Sequence, residues 1–140
     1  MNQLEKAIIL ATEAHAGQTT KDGLPYIIHP LHLMTHMETE SEMIVAVLHD
    51  VVEDTAISLE DLAAVGFSDA VLAAVSLLTH DDPDVAYDEY VAALKHNLLA
   101  RKVKLADLTH NMDVRRLPAV GEREAKRLKR YRQAWEMLTS

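Results

Sequence analysis

The sequence predicts an all-α domain of about seven or eight helices, and three observations carry that reading. Apolar residues recur at helical spacing along nearly the whole chain, with only short breaks between runs. The 140 residues include only 4 Gly, 4 Pro, one Trp and one Phe, a composition that favours helices over an all-β architecture. Residues suited to helix caps stand just ahead of several of the apolar runs.

The first helix is expected over residues 3 to 15, with Leu4, Ala7, Ile8, Ala11 and Ala14 as its apolar stripe and Gly17 ending it. QTTKDGLPY follows as a polar loop broken by Gly23 and Pro25. Pro30 suits the first turn of a second helix running to about Met37, because its missing N–H has no partner to lose there. Ser41 is read as the cap of a third helix, Met43 to Glu53. Ser58, with Asp61 three residues on, caps a short fourth. Ser68 opens DAVLAAVSLLT, and HDDPD is a turn. Further helices are expected at 85 to 96, 98 to 112 and 121 to 138. The last, EREAKRLKRYRQAWEML, is basic and amphipathic. Its expected role is packing through Leu128, Tyr131, Trp135 and Leu138, since membrane-active or partner-binding helices usually carry a longer apolar face.

Length and composition (49% hydrophobic, 26% charged) bound the chain to one soluble domain over residues 1–140 with room for a sizeable core. The absence of cysteine excludes disulfides, thiolate metal sites and cysteine nucleophiles. No apolar run approaches a membrane span, and MNQLEKAIILATEAH carries Glu5 and Glu13 too early for a signal peptide, so a cytoplasmic location is expected. A net charge of −8 argues against nucleic acid as a partner. A small phosphorylated ligand remains open, because a bound cation and a few local basic groups suffice to hold it.

VAVLHDVVEDT, residues 45 to 55, poses the functional question. At about 100° per residue, His49, Asp50, Glu53 and Asp54 share an arc of roughly 140° on the third helix, whose remaining circumference is Val, Ala and Leu. A solvated stripe is the ordinary explanation. Against it, Glu53 and Asp54 oppose the helix dipole in the last turn, and partners for a metal site occur elsewhere. His29 stands in YIIHP, and Asp107 lies in the apolar helix KVKLADLTHNM. Two His and two Asp make a mixed nitrogen and oxygen set suited to Mn²⁺, Fe²⁺ or another octahedral ion, with positions left for water or a phosphate oxygen.

HAGQTTKDGLPYIIHP, AVLHDVVEDT and VKLADLTHNM occur in the order found in the HD-type hydrolase domain of the RelA/SpoT family, which this chain resembles over most of residues 4 to 117. The resemblance implies an HD-domain helical bundle and hydrolysis of the 3′-pyrophosphate of the guanosine alarmone (p)ppGpp. It makes His29, His49, Asp50 and Asp107 ligands of one metal, usually Mn²⁺, and Glu53 and Asp54 the catalytic carboxylates. Lys21 and Asn111 fall where relatives contact the nucleotide or its phosphates. Lys104, one turn before Asp107, either faces the site or pairs with a surface acid. No synthetase domain follows, which implies a stand-alone hydrolase, and a homodimer is in keeping with such bundles. The chain departs from the family pattern at Thr20, Asp22, Leu108, Asp113 and Val114. Those departures keep two other readings open: an HD-type hydrolase of a different phosphorylated nucleotide, and a non-catalytic nucleotide-binding relative.

Among the other histidines, His15 is expected to bond the loop that follows it, with Gln18 supporting that loop. His32 and His36 line the polar side of the second helix. His80 and His96 read as surface residues, and His110 stays unassigned.

Overall fold

In the computed structural model, which describes residues 1–140, the fold begins at a reciprocal cap. The Asn2 side chain accepts from the Glu5 N–H while the Glu5 carboxylate accepts from the Asn2 N–H, so α1 (Gln3–Ala14) opens with two of its free donors satisfied. Helix α2 (Ile28–Thr35) carries Pro30 in its first turn, as expected. The loop between α1 and α2 makes one β-bridge, Thr19 to Pro25, and no named strand occurs.

The third predicted helix is corrected in two respects. Its cap is Thr39, not Ser41: Thr39 exchanges hydrogen bonds with Glu42, so α3 runs Glu40–Leu48 and Ser41 sits exposed in its first turn. It also does not continue to Glu53. His49 Nδ1 bonds the Ala46 carbonyl at 2.7 Å, the acceptor that a continuing helix would offer to the Asp50 N–H. The helix breaks at His49 and Asp50 and resumes as the single turn α4 (Val51–Asp54). Counting α3 and α4 apart gives nine α-helices in all.

Ser58 and Asp61 form the predicted reciprocal cap of α5 (Leu59–Val65), which ends at Gly66 with φ 102°, a left-handed conformation that glycine adopts without a Cβ clash. Ser68 caps α6 (Asp69–Leu78) as expected. Then come α7 (Tyr87–Leu94), α8 (Leu98–Asn111), a 3₁₀ turn at Val114–Arg116 and α9 (Glu122–Thr139).

Helix α3 is the centre of the bundle. Ile44, Val45, Ala46, Val47 and Leu48 are all buried, and the helix packs on α1, α2, α6 and α8. A fully buried Val or Leu contributes about 1.5–3 kcal/mol, so this run holds the two residues that follow it, His49 and Asp50, at a fixed depth. Helix α8 crosses beside it, with Ala100, Val103 and Leu108 in the core and Asp107 between them. Helix α9 closes the bundle against α7 and α8 through Ala134 and Leu138. Trp135, expected in that contact, is 36% exposed beneath Arg132, because Ala134 and Leu138 define the buried face and Trp135 lies off it. No helix is long and apolar enough to cross a membrane.

Candidate functional site

Three elements deliver the cluster. Helix α2 supplies His29, the α3–α4 break supplies His49 and Asp50, and α8 supplies Asp107. His29, His49 and Asp50 place one donor atom each within 4.8 Å of one another. Asp107 Oδ1 lies 2.8 Å from His29 Nε2 and 3.6 Å from His49 Nε2, and Asp50 Oδ2 is 3.0 Å from His49 Nε2. All four residues predicted to share one ion therefore come together.

The chemistry of His49 tests whether an ion fits. Its ring is buried, and its Nδ1 is committed to the Ala46 carbonyl, so Nε2 faces Asp50 and Asp107 without a hydrogen-bond partner of its own. Burial opposes charge on His49, but the two carboxylates outweigh it and lift the ring well above the usual histidine range. The site thus calls for positive charge at Nε2. A proton or a divalent cation answers that demand, and the two compete for the same ligands, which must give up protons to bind an ion. Nitrogen and carboxylate donors in this mixture suit the ion.

Groups around the cluster orient it. The Tyr26 hydroxyl donates to Asp50 Oδ2. Lys104 Nζ donates to Asp107 Oδ2 at 3.1 Å, and Asn111 Nδ2 to Asp107 Oδ1 at 3.1 Å. Burial disfavours the Asp107 anion, yet Lys104, His29 and His49 hold its carboxyl well below the usual range. Lys104 faces the site rather than a surface acid. It is buried, with its ammonium over the rings of Tyr87 and Tyr90 at 5.7 and 5.3 Å.

Glu53 and Asp54 stand at the exposed rim, just beyond the buried Val51 and the half-buried Val52. Glu53 Oε1 accepts the His80 N–H at 2.6 Å, and the Asp54 carbonyl accepts from Gln18 Nε2 at 2.9 Å. Loss of hydration, with Asp50 beside them, raises both carboxyls above their ordinary values. Together with Asp50 they form a second group of donors within 4.8 Å.

Two cavities flank the cluster. One, of about 340 Å³, is lined by Glu53, Asp54, Lys104 and Asn111 and roofed by Arg130 and Tyr131 of α9. The other, of about 240 Å³, holds Lys21, Arg116, Tyr26 and His29, and shares Asn111 with the first. Lys21 is exposed there, and its ammonium is pulled below its usual value by partial burial and by Arg127 and Arg116. Four of the five departures from the family pattern acquire local explanations, while nothing in the structure explains the exposed Val114. Thr20 bonds Asp22 and the Leu24 carbonyl, Leu108 is wholly in the core, and Asp113 is engaged by Arg115.

Sequence reading missed several neighbours. His80 is no plain surface residue: its ring lies 4.7 Å from that of Tyr90, its Nε2 bonds the Val85 carbonyl, and its backbone holds Glu53. Arg116, Arg130 and Tyr131 gave no motif signal, since they reach the site only through the fold. His15 and Gln18 behave as expected, with Nδ1 of His15 2.8 Å from Gln18 Oε1. His110, left unassigned, bonds His29, and burial with Arg116 nearby lowers its ring to about 4.

No family model matches the chain. The bifunctional (p)ppGpp synthase/hydrolase SpoT of Escherichia coli K12 is 31% identical over 126 residues, covering 80% of this chain and 18% of the relative. The guanosine-3′,5′-bis(diphosphate) 3′-pyrophosphohydrolase of Vibrio cholerae is 34% identical over 122 residues, covering 78% of this chain and 17% of its own. A GTP pyrophosphokinase of Streptomyces coelicolor is 36% identical over 124 residues, with 80% and 14% covered. The chain thus spans under a fifth of the length of these relatives. A solved structure of a metazoan SpoT ortholog, described as hydrolysing ppGpp, superposes with a TM-score of 0.78 at 24% identity over 99% of this chain and 86% of that one, so the two share a fold.

Proposed function

The chain belongs to the RelA/SpoT family, and on that premise we propose that it is a metal-dependent phosphohydrolase that removes the 3′-pyrophosphate of (p)ppGpp, giving GDP or GTP and pyrophosphate. The single observation that carries the reading is the His29, His49 and Asp50 group, its imidazoles buried and Asp50 half-buried, with an unpartnered Nε2 and Asp107 beside it, opening onto a cavity rimmed by two carboxyls of raised pKa. A cation-demanding pocket beside a pair of poised acids suits hydrolysis at phosphorus.

In this reading His29, His49, Asp50 and Asp107 hold one divalent ion, Mn²⁺ being the candidate that fits their mixed donors and the family. Such an ion supplies Lewis acidity toward a phosphoryl oxygen and lowers the pKa of water. Glu53, fixed by the His80 N–H, which favours its anion, takes a proton from the attacking water. Asp54, whose side chain accepts no such backbone donor, keeps a proton for the leaving 3′ oxygen. The P–O3′ bond breaks as the new P–O bond forms, and the two carboxyls exchange protonation states. Lys104 and Asn111 steady Asp107 and face the cavity, while Lys21, with Arg116 in the same hollow, receives phosphate.

With Thr20 and Asp22 on either side of it, Lys21 is the sole cation of its loop, which keeps a different phosphorylated nucleotide as the second reading. One assay separates the two: purified protein with Mn²⁺, offered (p)ppGpp and then a nucleotide panel. Pyrophosphate release from (p)ppGpp, lost in Glu53→Gln with ion content unchanged, is the expected result. Turnover of another nucleotide alone supports the second reading, and binding without turnover overturns both.

A further inference from the structure

His29 and His110 meet through their Nδ1 atoms at 2.7 Å, and their rings are parallel within 5° with centroids 5.0 Å apart. This is not a face-to-face stack. The 5.0 Å between centroids is the 2.7 Å contact lengthened by one centroid-to-nitrogen distance at each end, which requires both nitrogens and both centroids to lie nearly on one line within the ring planes. The rings therefore share a plane and meet edge to edge, the arrangement of a straight N–H···N hydrogen bond. One Nδ1 must donate and the other accept.

The opposite edge of His29 decides which. Its Nε2, 2.8 Å from Asp107 Oδ1, donates its N–H to that carboxylate in the ion-free protein, and an ion held by His29 with His49 and Asp50 would take that proton's place. An imidazole that offers Nε2 as a lone pair carries its single proton on Nδ1. We propose that His110 is the positioning residue of this centre: its Nδ1 accepts the His29 Nδ1–H, which fixes His29 in the tautomer and ring orientation that leave Nε2 bare toward the ion. Groups in this role orient a ligand and raise its basicity. They are usually a carboxylate or a carbonyl, as Ala46 is for His49. For His29 the chain uses a second imidazole.

His110 is itself held in place. The His32 ring lies against its face at 3.9 Å centroid separation and 18°, and the His110 carbonyl takes the Arg116 Nη1–H at 2.9 Å. The pairing of His32 with His110 also gives the exposed side of α2 a use beyond solvation. His36 extends the row outward, with its ring 4.6 Å from His32.

The inference rests on the metal-centre reading given above, and its test keeps the two apart. Mn²⁺ affinity is measured by isothermal titration for the wild-type protein, His110→Phe and His110→Asn, with thermal melts alongside. Phe keeps a flat ring against His32 but cannot accept; Asn offers an acceptor without the ring. His110→Phe is expected to bind Mn²⁺ about 10- to 100-fold more weakly, and His110→Asn to recover most of that loss. Equal affinity in His110→Phe and wild type overturns the inference, as does equal loss in a folded His110→Asn. No binding by the wild type instead overturns the metal-centre reading. Should His110→Phe fail to fold, nitrogen NMR of the wild type loaded with diamagnetic Zn²⁺ decides. A nitrogen–nitrogen coupling across the bond with the proton on His29 Nδ1 is expected, and a proton resident on His110 Nδ1 overturns the assignment.

Discussion

Asp107 Oδ1 and His29 Nε2 lie 2.8 Å apart, although 78 residues separate them in the chain. That contact pins α8 to α2 at the depth of the core, and the other carboxylate oxygen of Asp107 is the partner of the buried Lys104.

Removing the carboxylate should therefore have two effects. Asp107→Ala abolishes Mn²⁺ binding and also strands the Lys104 ammonium in the interior, at a cost of roughly 3–5 kcal/mol. Adding Lys104→Met should restore much of the stability without restoring the ion. Urea unfolding checks the first part and elemental analysis the second.

Tyr26→Phe removes the donor to Asp50 while leaving the ring. The expected result is a fall of about tenfold or more in Mn²⁺ affinity with the fold intact, since outer hydrogen bonds of this kind tune ligand basicity. A titration with a parallel melt measures both.

The pH dependence of turnover should report Glu53. Its carboxyl is raised above the ordinary 4.5 by loss of hydration, with Asp50 and Asp54 adding to the effect. A base must be ionised, so kcat/KM should fall as pH drops through that raised value, at a higher pH than an exposed glutamate would give. In Glu53→Gln the residual rate should lose this limb.

Glu42 gives a stability test away from the site. Its side chain accepts from Lys102 and from the Thr39 N–H, and these bonds hold its carboxyl below the ordinary 4.5. A depressed folded value contributes stability that is present above about pH 4.5 and lost as pH falls through the lower folded value. Wild type and Glu42→Gln should therefore differ in chemical unfolding at neutral pH and converge in acid. Thr39→Ala should cost about 1 kcal/mol through the lost cap.

What the chain disclosed in advance follows from the range of the forces involved. Caps act within three residues, so Ser58 and Ser68 were readable, while Thr39 was passed over for Ser41 because both precede the same apolar run. The break after Leu48 was not readable, since it depends on which carbonyl the His49 ring finds. Periodicity put His49, Asp50, Glu53 and Asp54 on one side, and motif resemblance brought His29 and Asp107 to them. Lys104 remained undecided between core and surface because helical phase alone does not say what lies opposite. His80 and Arg130 carry no local pattern, and His110 sits in a motif that gives it no role; their positions come from α6–α7, α9 and α8 docking on elements distant in sequence.

The most direct test is anomalous diffraction from Mn²⁺-loaded crystals at the manganese edge. The account predicts one strong peak per chain, bounded by His29 Nε2, His49 Nε2, Asp50 and Asp107, and absent in His49→Ala. Fully loaded wild-type crystals with no peak among those four side chains would contradict it.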